Sequence, residues 1–106
     1  MHKTVFREIK IKLPSDIADT ISDQEIVNLL MDKAFTTAEY YHSKCKSFEE
    51  KYGMDFSAFK KKIETAQEEV FSEWDDMLVW EGFVLSYDEW KKKIEELKSC
   101  RESLQH

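Results

Sequence analysis

Residues 22–53 read SDQEIVNLLMDKAFTTAEYYHSKCKSFEEKYG, and this stretch decides the fold class. Ser22 and Glu25 have the spacing of a capping box, in which each side chain accepts a backbone N–H at the start of a helix. Apolar and small side chains then recur every three or four residues, which places them on one face of a helix. They are Ile26, Leu29, Leu30, Ala34, Thr37, Ala38, Tyr41, Cys45, Phe48 and Tyr52. Gly53 is a typical left-handed residue after a helix, so the pattern predicts one long scaffold helix that ends there.

The segment before this helix, residues 3–13, has the alternation of a β-strand. Val5, Ile9 and Ile11 fall on one side, and Pro14 stops the pattern because it has no N–H to donate. A lone strand needs a neighbour for its backbone hydrogen bonds. We therefore expect these three residues to form a dimer strand that pairs with a second copy of the chain.

Shorter helices are predicted on both sides of the scaffold helix. A short helix is predicted over residues 16–21. After Gly53, Asp55 can cap a helix that fades near residues 65–69. The apolar face of that helix carries Phe56, Phe59 and Ile63.

The last helical segment is apolar on two sides. Measured from Trp74 at about 100° per residue, one side carries Met77, Leu78, Val84 and Leu85. An arc nearly opposite carries Val79, Trp80, Phe83, Tyr87, Trp90, Ile94 and Leu97. A helix of this kind has more to bury than one side of a small domain can cover. We expect one face to pack on the protein's own core and the other on a partner, the alternative being a helix in the middle of a monomeric bundle.

The continuity of this segment is open from the sequence. Gly82 could end one helix, and Ser86 with Glu89 forms a second capping-box pattern. A continuous helix is favoured, because glycine inside a helix costs only about 1 kcal/mol.

Composition indicates one domain over residues 1–106, with 42% apolar residues, which is enough for a single core. The formal net charge is −6, and it is unevenly spread. Residues 1–62 carry 11 basic and 10 acidic side chains, whereas residues 63–106 carry 5 and 12. Acidity argues against nucleic-acid binding by the whole chain, so any DNA contact is expected from Lys10 and Lys12 in the predicted strand.

Nothing in the sequence predicts catalysis, a metal site or a cofactor. Glu39 and His42 have the Glu-x-x-His spacing of di-metal helical bundles, but the chain lacks the second such pair. Two cysteines, Cys45 and Cys100, are too few for a disulfide framework and too few thiols to close a zinc site. With neither a leader pattern nor a membrane-spanning run, we expect a cytoplasmic protein that does not contact membranes.

The layout resembles small antitoxins of prokaryotic toxin–antitoxin pairs. The resemblance covers about the first 50 residues: IKIKLP at 9–14, a short helix, SDQE at 22–25 and a long helix. The stretch KYGMDFSAF at 51–59, followed by EWDD at 73–76 and WEG at 80–82, is similar to the C-terminal half of some small antitoxin-like proteins. The resemblance implies a basic N-terminal strand that pairs in a dimer and contacts DNA. It also implies an acidic C-terminal segment that covers the toxin.

We therefore expect a mainly α fold with a short N-terminal strand and three to five helices, and a non-enzymatic protein that dimerises and binds a basic, toxin-like partner. The predicted partner-binding residues are Val79, Trp80, Phe83, Tyr87, Trp90, Asp75, Asp76 and Glu81. Two alternatives stay open. One is a ribbon-helix-helix regulator with Lys10 and Lys12 in the major groove, and the other is a helical structural oligomer.

Overall fold

The structure of the protein is a computed structural model that describes residues 5–104. All regular secondary structure in this range is helical. The helices are α1 (Ser15–Ala18), α2 (Asp23–Tyr52), α3 (Phe56–Thr65) and α4 (Phe71–Leu104). The two long helices pack on each other along most of their length, and α3 packs on the start of α4.

The predicted N-terminal β-strand is wrong for the residues that the structure describes. Residues 5–14 are irregular, and residues 3 and 4 lie outside the described range. The physical reason is the missing neighbour. Every other element from residue 15 to residue 104 is a helix or a connection between helices, so the described chain offers no strand edge to pair with. Val5, Ile9 and Ile11, the residues of the predicted dimer strand, are irregular in the single chain, and all three side chains are exposed.

Helix α2 begins and ends where its capping residues predict. Ser22 is extended, and its Oγ accepts the N–H of Glu25 at 3.1 Å. Gly53 follows the helix with φ 66°, a left-handed conformation that costs side-chain-bearing residues about 1 kcal/mol or more, and its N–H donates to the carbonyl of Glu49. Asp55 caps α3 in the same way, accepting the N–H of Ala58 at 2.8 Å. Local sequence alone therefore sets these boundaries.

Helices α2 and α4 run antiparallel. Contacts pair the end of α2 with the start of α4, as Phe48 stacks on Trp80 with ring centroids 5.5 Å apart. Further along, Ala34 and Ala38 pack against Ile94. The inward residues of α2 alternate in steps of four and three, the heptad spacing of a two-helix seam. They are Val27, Met31, Ala34, Ala38, Tyr41, Cys45, Phe48 and Tyr52.

The stripe predicted for α2 is correct in its C-terminal half and wrong in its first two turns. Ile26, Leu29 and Leu30 were expected on the inner face, but all three are exposed. Val27 and Met31 are buried in their place. The start of α2 therefore presents apolar side chains to the outside.

The largest part of the core lies where α3 joins the two long helices. Trp80 and Phe59 are fully buried there, and their rings are 5.4 Å apart. Tyr52 stacks on Phe59, and Phe56 meets Trp80 edge-on. This cluster holds the turn between α2 and α3 against the beginning of α4.

Helix α4 is continuous through the point where a break was considered. Gly82 is exposed and helical, and the capping-box pattern at Ser86 lies inside the helix. Burial of the residues on either side offsets the cost of about 1 kcal/mol for one helical glycine.

The molecule is long and thin, measuring 64 × 31 × 20 Å with a radius of gyration of 19.7 Å. A compact domain of this length has a radius of gyration of about 13 Å. The radius of gyration is larger because most of the chain forms a two-helix hairpin with a single packed seam. This arrangement leaves the outward sides of α2 and α4 without a packing partner in the described chain.

Candidate interaction surfaces

The face of α4 predicted to dock on a partner is mostly the face that packs on α2. Trp80 is fully buried, which corrects its place among the partner-binding residues. Phe83, Tyr87 and Trp90 are half-buried, with Phe83 near Tyr41 and Phe48, and with the other two packed on the Ala34 region. Val79 alone among the predicted apolar contacts is exposed.

The opposite side of α4 carries an exposed apolar line that we call the outer stripe, formed by Phe71, Leu78 and Leu85. Their exposed fractions are 80%, 59% and 64%. Successive members are seven residues apart, so each lies about 20° from the last around the helix axis. Phe71 lies about 180° from Trp80 on the same scale. The sequence does predict two apolar faces on this helix, but the structure buries most of the expected docking face. On the other face only Leu78 and Leu85 are exposed, since Met77 is buried and Val84 packs partly against the core.

The outer stripe lies within an acidic stretch. Residues 67–90 contain eight carboxylates and no lysine, arginine or histidine. Three of the eight are paired: Asp76 with Lys51, Glu81 with Lys60, and Glu89 with Lys93. Across residues 5–104, the remaining five have no ion-pair partner. They are Glu68, Glu69, Glu73, Asp75 and Asp88.

Two of the acids predicted to bind a partner instead hold the fold together. Lys51 Nζ donates to Asp76 Oδ2 at 2.7 Å, and the hydroxyl of Tyr52 donates to the same oxygen. Lys60 donates to Glu81 at 3.0 Å, which ties α3 to α4. The third predicted acid, Asp75, is exposed.

The contact at Asp76 gives a pH-dependent prediction. Hydrogen bonds from Lys51 and then Tyr52 hold the pKa of the Asp76 carboxyl below its ordinary value. Because the folded pKa is the lower one, the stabilisation is full above the unfolded value of about 3.9 and is lost as pH falls through the folded value. We expect Asp76→Asn to cost about 1 kcal/mol near neutral pH. Denaturant unfolding of both proteins should show this difference shrinking as pH falls below the unfolded value of about 3.9. A gap that persists undiminished there would contradict the ionic origin.

The N-terminal residues 5–13, which we call the basic segment, run along the end of the hairpin where α2 begins. Arg7 and Lys10 border a groove there with Asp23, Cys100 and Leu104. Lys10 and Lys12, the predicted DNA contacts, are exposed. Residues 5–13 are irregular rather than a strand in the single chain, so the described chain does not contain the strand from which a ribbon-helix-helix protein builds its DNA-binding ribbon.

A second groove of about 320 Å³ lies between α2 and α4 near this end. Phe6 borders it together with Leu30 and Trp90. Lys33 and Lys93 also border the groove. Phe6 remains 61% exposed.

The chemical groups singled out in the sequence are spread over the hairpin. His42 Nδ1 lies 3.8 Å from Glu39 Oε1, and its ring stacks on Tyr87. Cys45 is in the core, where burial first and nearby carboxylates second raise the pKa of its thiol. Cys100 lies near the opposite end of the hairpin, and both cysteines are free. No group of three or more potential metal ligands occurs within residues 5–104.

Comparison with protein-family models, curated proteins and solved structures finds no match for this chain. Within residues 5–104 no helix has both the length and the apolar content to cross a bilayer. The exposed surfaces are therefore the main source of a functional hypothesis. Phe71 is not among the residues predicted from the sequence, although the seven-residue spacing from Phe71 to Leu78 to Leu85 indicates the outer stripe.

Proposed function

We propose that the protein is a non-enzymatic interaction protein that binds a basic amphipathic helix or segment on the outer stripe of α4. The observation that carries the proposal is the combination of an exposed apolar line on α4 with the five carboxylates of residues 67–90 that have no ion-pair partner within residues 5–104. Apolar side chains in the middle of such a surface supply binding energy by leaving water. The carboxylates around them favour partners of positive charge and speed their capture.

The length of the stripe fits this kind of partner. Phe71 and Leu85 are 14 residues apart, which is about 21 Å along a helix. A partner helix of about four turns would cover that distance and could place one apolar residue per heptad against it. In this mode an amphipathic helix lays its apolar face along a hydrophobic surface and its charged flanks meet the rim.

A small basic toxin is the partner class that the antitoxin resemblance favours. The charge distribution supports this form of the proposal, because acidity is concentrated in residues 63–106. The finer proposal is tested by purifying the protein together with the basic product of a neighbouring gene. Co-purification that is lost on changing the outer stripe would support it, and co-purification that survives the change would contradict it.

The general proposal is tested with a synthetic lysine-flanked helical peptide of about five turns with leucines at heptad spacing. The parent protein should bind it, and binding should weaken as salt screens the carboxylates. Leu78→Glu combined with Leu85→Glu should weaken binding by about tenfold or more. Fluorescence anisotropy of the labelled peptide gives both measurements.

Matched controls separate docking from unspecific attraction. Leu29→Glu removes a leucine of similar exposure, 62%, from α2 and should leave peptide binding unchanged. A peptide with the same leucines but glutamate in place of lysine should not bind. If Leu29→Glu weakens binding as much as the double change on α4, the outer stripe is not the docking surface.

A further inference from the structure

We propose that the basic segment of one copy docks on the outer stripe of a second copy, so that the chain associates head to tail. This inference rests on the proposed function, because it uses the same face of α4 and names the part of this protein that fits it. The basic segment is the occupant that the chain itself provides.

The basic segment has the chemistry that the outer stripe requires. Its apolar side chains are Val5, Phe6, Ile9, Ile11 and Leu13, and their exposed fractions range from 45% to 81%. Arg7, Lys10 and Lys12 outweigh Glu8, which gives the segment a net charge of +2. Apolar and basic groups are therefore combined on one short exposed stretch, opposite in charge to the acidic stretch around the stripe.

The segment is also not fixed to a helix through its backbone. No hydrogen bond among the described residues involves a backbone N–H of residues 5–13. Nine extended residues span about 30 Å, whereas the stripe is about 21 Å long. The segment can therefore cover all three stripe residues without any helix being displaced.

The segment of the same copy does not reach the stripe. Phe6 borders the groove between α2 and α4 together with Trp90. The nearest stripe residue, Leu85, is five residues from Trp90, which is about 8 Å along the axis but about 140° around the helix. Phe71 is about 28 Å from Trp90 along the axis. The described part of the segment thus lies on the seam side of α4, and the stripe lies on the other side of that helix. A second copy has no such restriction.

Pairing of two outer stripes with each other is the main competing arrangement. A two-fold contact centred on Leu78 would place Phe71 on Leu85 of the second copy. The same contact would bring two acidic stretches together, each with five carboxylates that have no ion-pair partner within residues 5–104. Like charges held close in this way cost free energy. Contact between the basic segment and the stripe instead brings opposite charges together.

Head-to-tail contact uses two different surfaces on each copy. Such an interface either closes into a ring or extends as a filament. The average mass of the parent protein should therefore rise with concentration beyond that of a dimer, and the rise should be weaker at high salt.

The test uses full-length variants that each lose one side of the contact. Lys10→Glu with Lys12→Glu removes the basic side, and Leu78→Glu with Leu85→Glu removes the stripe. All four positions are exposed, so the fold of each variant should be intact by circular dichroism. Each variant alone should self-associate about tenfold or more weakly than the parent in sedimentation equilibrium. Lys61→Glu with Lys62→Glu, a matched change on α3, should self-associate like the parent.

Mixing the two variants distinguishes head-to-tail contact from every symmetric alternative. The intact basic segment of the stripe variant can dock on the intact stripe of the basic-segment variant. The mixture should therefore form a one-to-one dimer and nothing larger. A monomeric parent, unchanged association of either variant, or failure of the mixture to form the dimer would overturn the inference.

The outcome for the proposed function is read separately with the lysine-flanked peptide. The Lys10→Glu and Lys12→Glu variant keeps the stripe and should bind the peptide at least as well as the parent. If it binds the peptide but the mixture stays monomeric, the inference fails and the proposed function stands. If no protein binds the peptide, the proposed function fails, and the head-to-tail proposal that rests on it is withdrawn with it.

Discussion

Trp80→Ala is expected to lower the free energy of unfolding by about 3–5 kcal/mol, the usual cost of removing a large buried aromatic side chain. Trp80 is fully buried and packs against rings from both other major helices, including Phe48 of α2 and Phe59 of α3. Without the indole, α3 and the end of α2 lose the group they share with α4. A domain of this size has only about 5–15 kcal/mol of stability, so the variant should be largely or wholly unfolded at elevated temperature.

Two further variants identify the cause of this loss. Trp80→Phe keeps an aromatic ring and removes the indole N–H, which has no hydrogen-bond acceptor among the described residues. We expect it to cost about 1–2 kcal/mol. Leu85→Ala shortens an exposed side chain on the same helix and should change stability by less than about 0.5 kcal/mol. Thermal and urea unfolding followed by circular dichroism measure all three, and a larger loss for Leu85→Ala than for Trp80→Ala would mean that the inner and outer faces of α4 are exchanged.

The faces of α4 show which part of the fold the sequence does not predict. The periodicity correctly places two apolar faces on this helix, since Leu78 and Trp80 fall on opposite sides. It does not say which face meets α2. That choice depends on the rings that α2 and α3 present at the same level, such as Phe48 and Phe59, and those contacts join residues distant in sequence. An aromatic-rich face is typical both of cores and of interfaces.

The N-terminal segment fails for a related reason. Alternation in residues 5–13 is a local signal, but a strand exists only where a second backbone pairs with it. No described part of this chain supplies that edge. By contrast, the caps at Ser22, Gly53 and Asp55 act on neighbouring backbone groups, and all three were predictable.

At the start of α2 the sequence does not distinguish the inner face of the helix from the outer one. Five of the six residues from Ile26 to Met31 are apolar, so almost any face of this turn satisfies a spacing of three and four. The downstream residues remove the ambiguity. Ala34 and Ala38 are buried, and counting back from them in alternating steps of three and four gives Met31 and then Val27. The heptad spacing of the downstream residues therefore decides which side chains of residues 26–31 face α4. The local composition alone does not decide it.

A second large effect on stability is expected when Met31→Asp is compared with Leu29→Asp. Met31 is 4% exposed and Leu29 is 62% exposed, although they are only two residues apart. A carboxylate at position 31 would be buried on the inner face of α2, and we expect a loss of several kcal/mol. At position 29 the same group stays in water and should cost less than about 1 kcal/mol. Both substitutions add one negative charge to the same part of α2, so differences in net charge or helix-terminal effects largely cancel between them. Urea unfolding of the two variants should therefore separate the buried seam from the outward face of α2, and a larger loss for Leu29→Asp would restore the stripe of Ile26, Leu29 and Leu30 as the inner face.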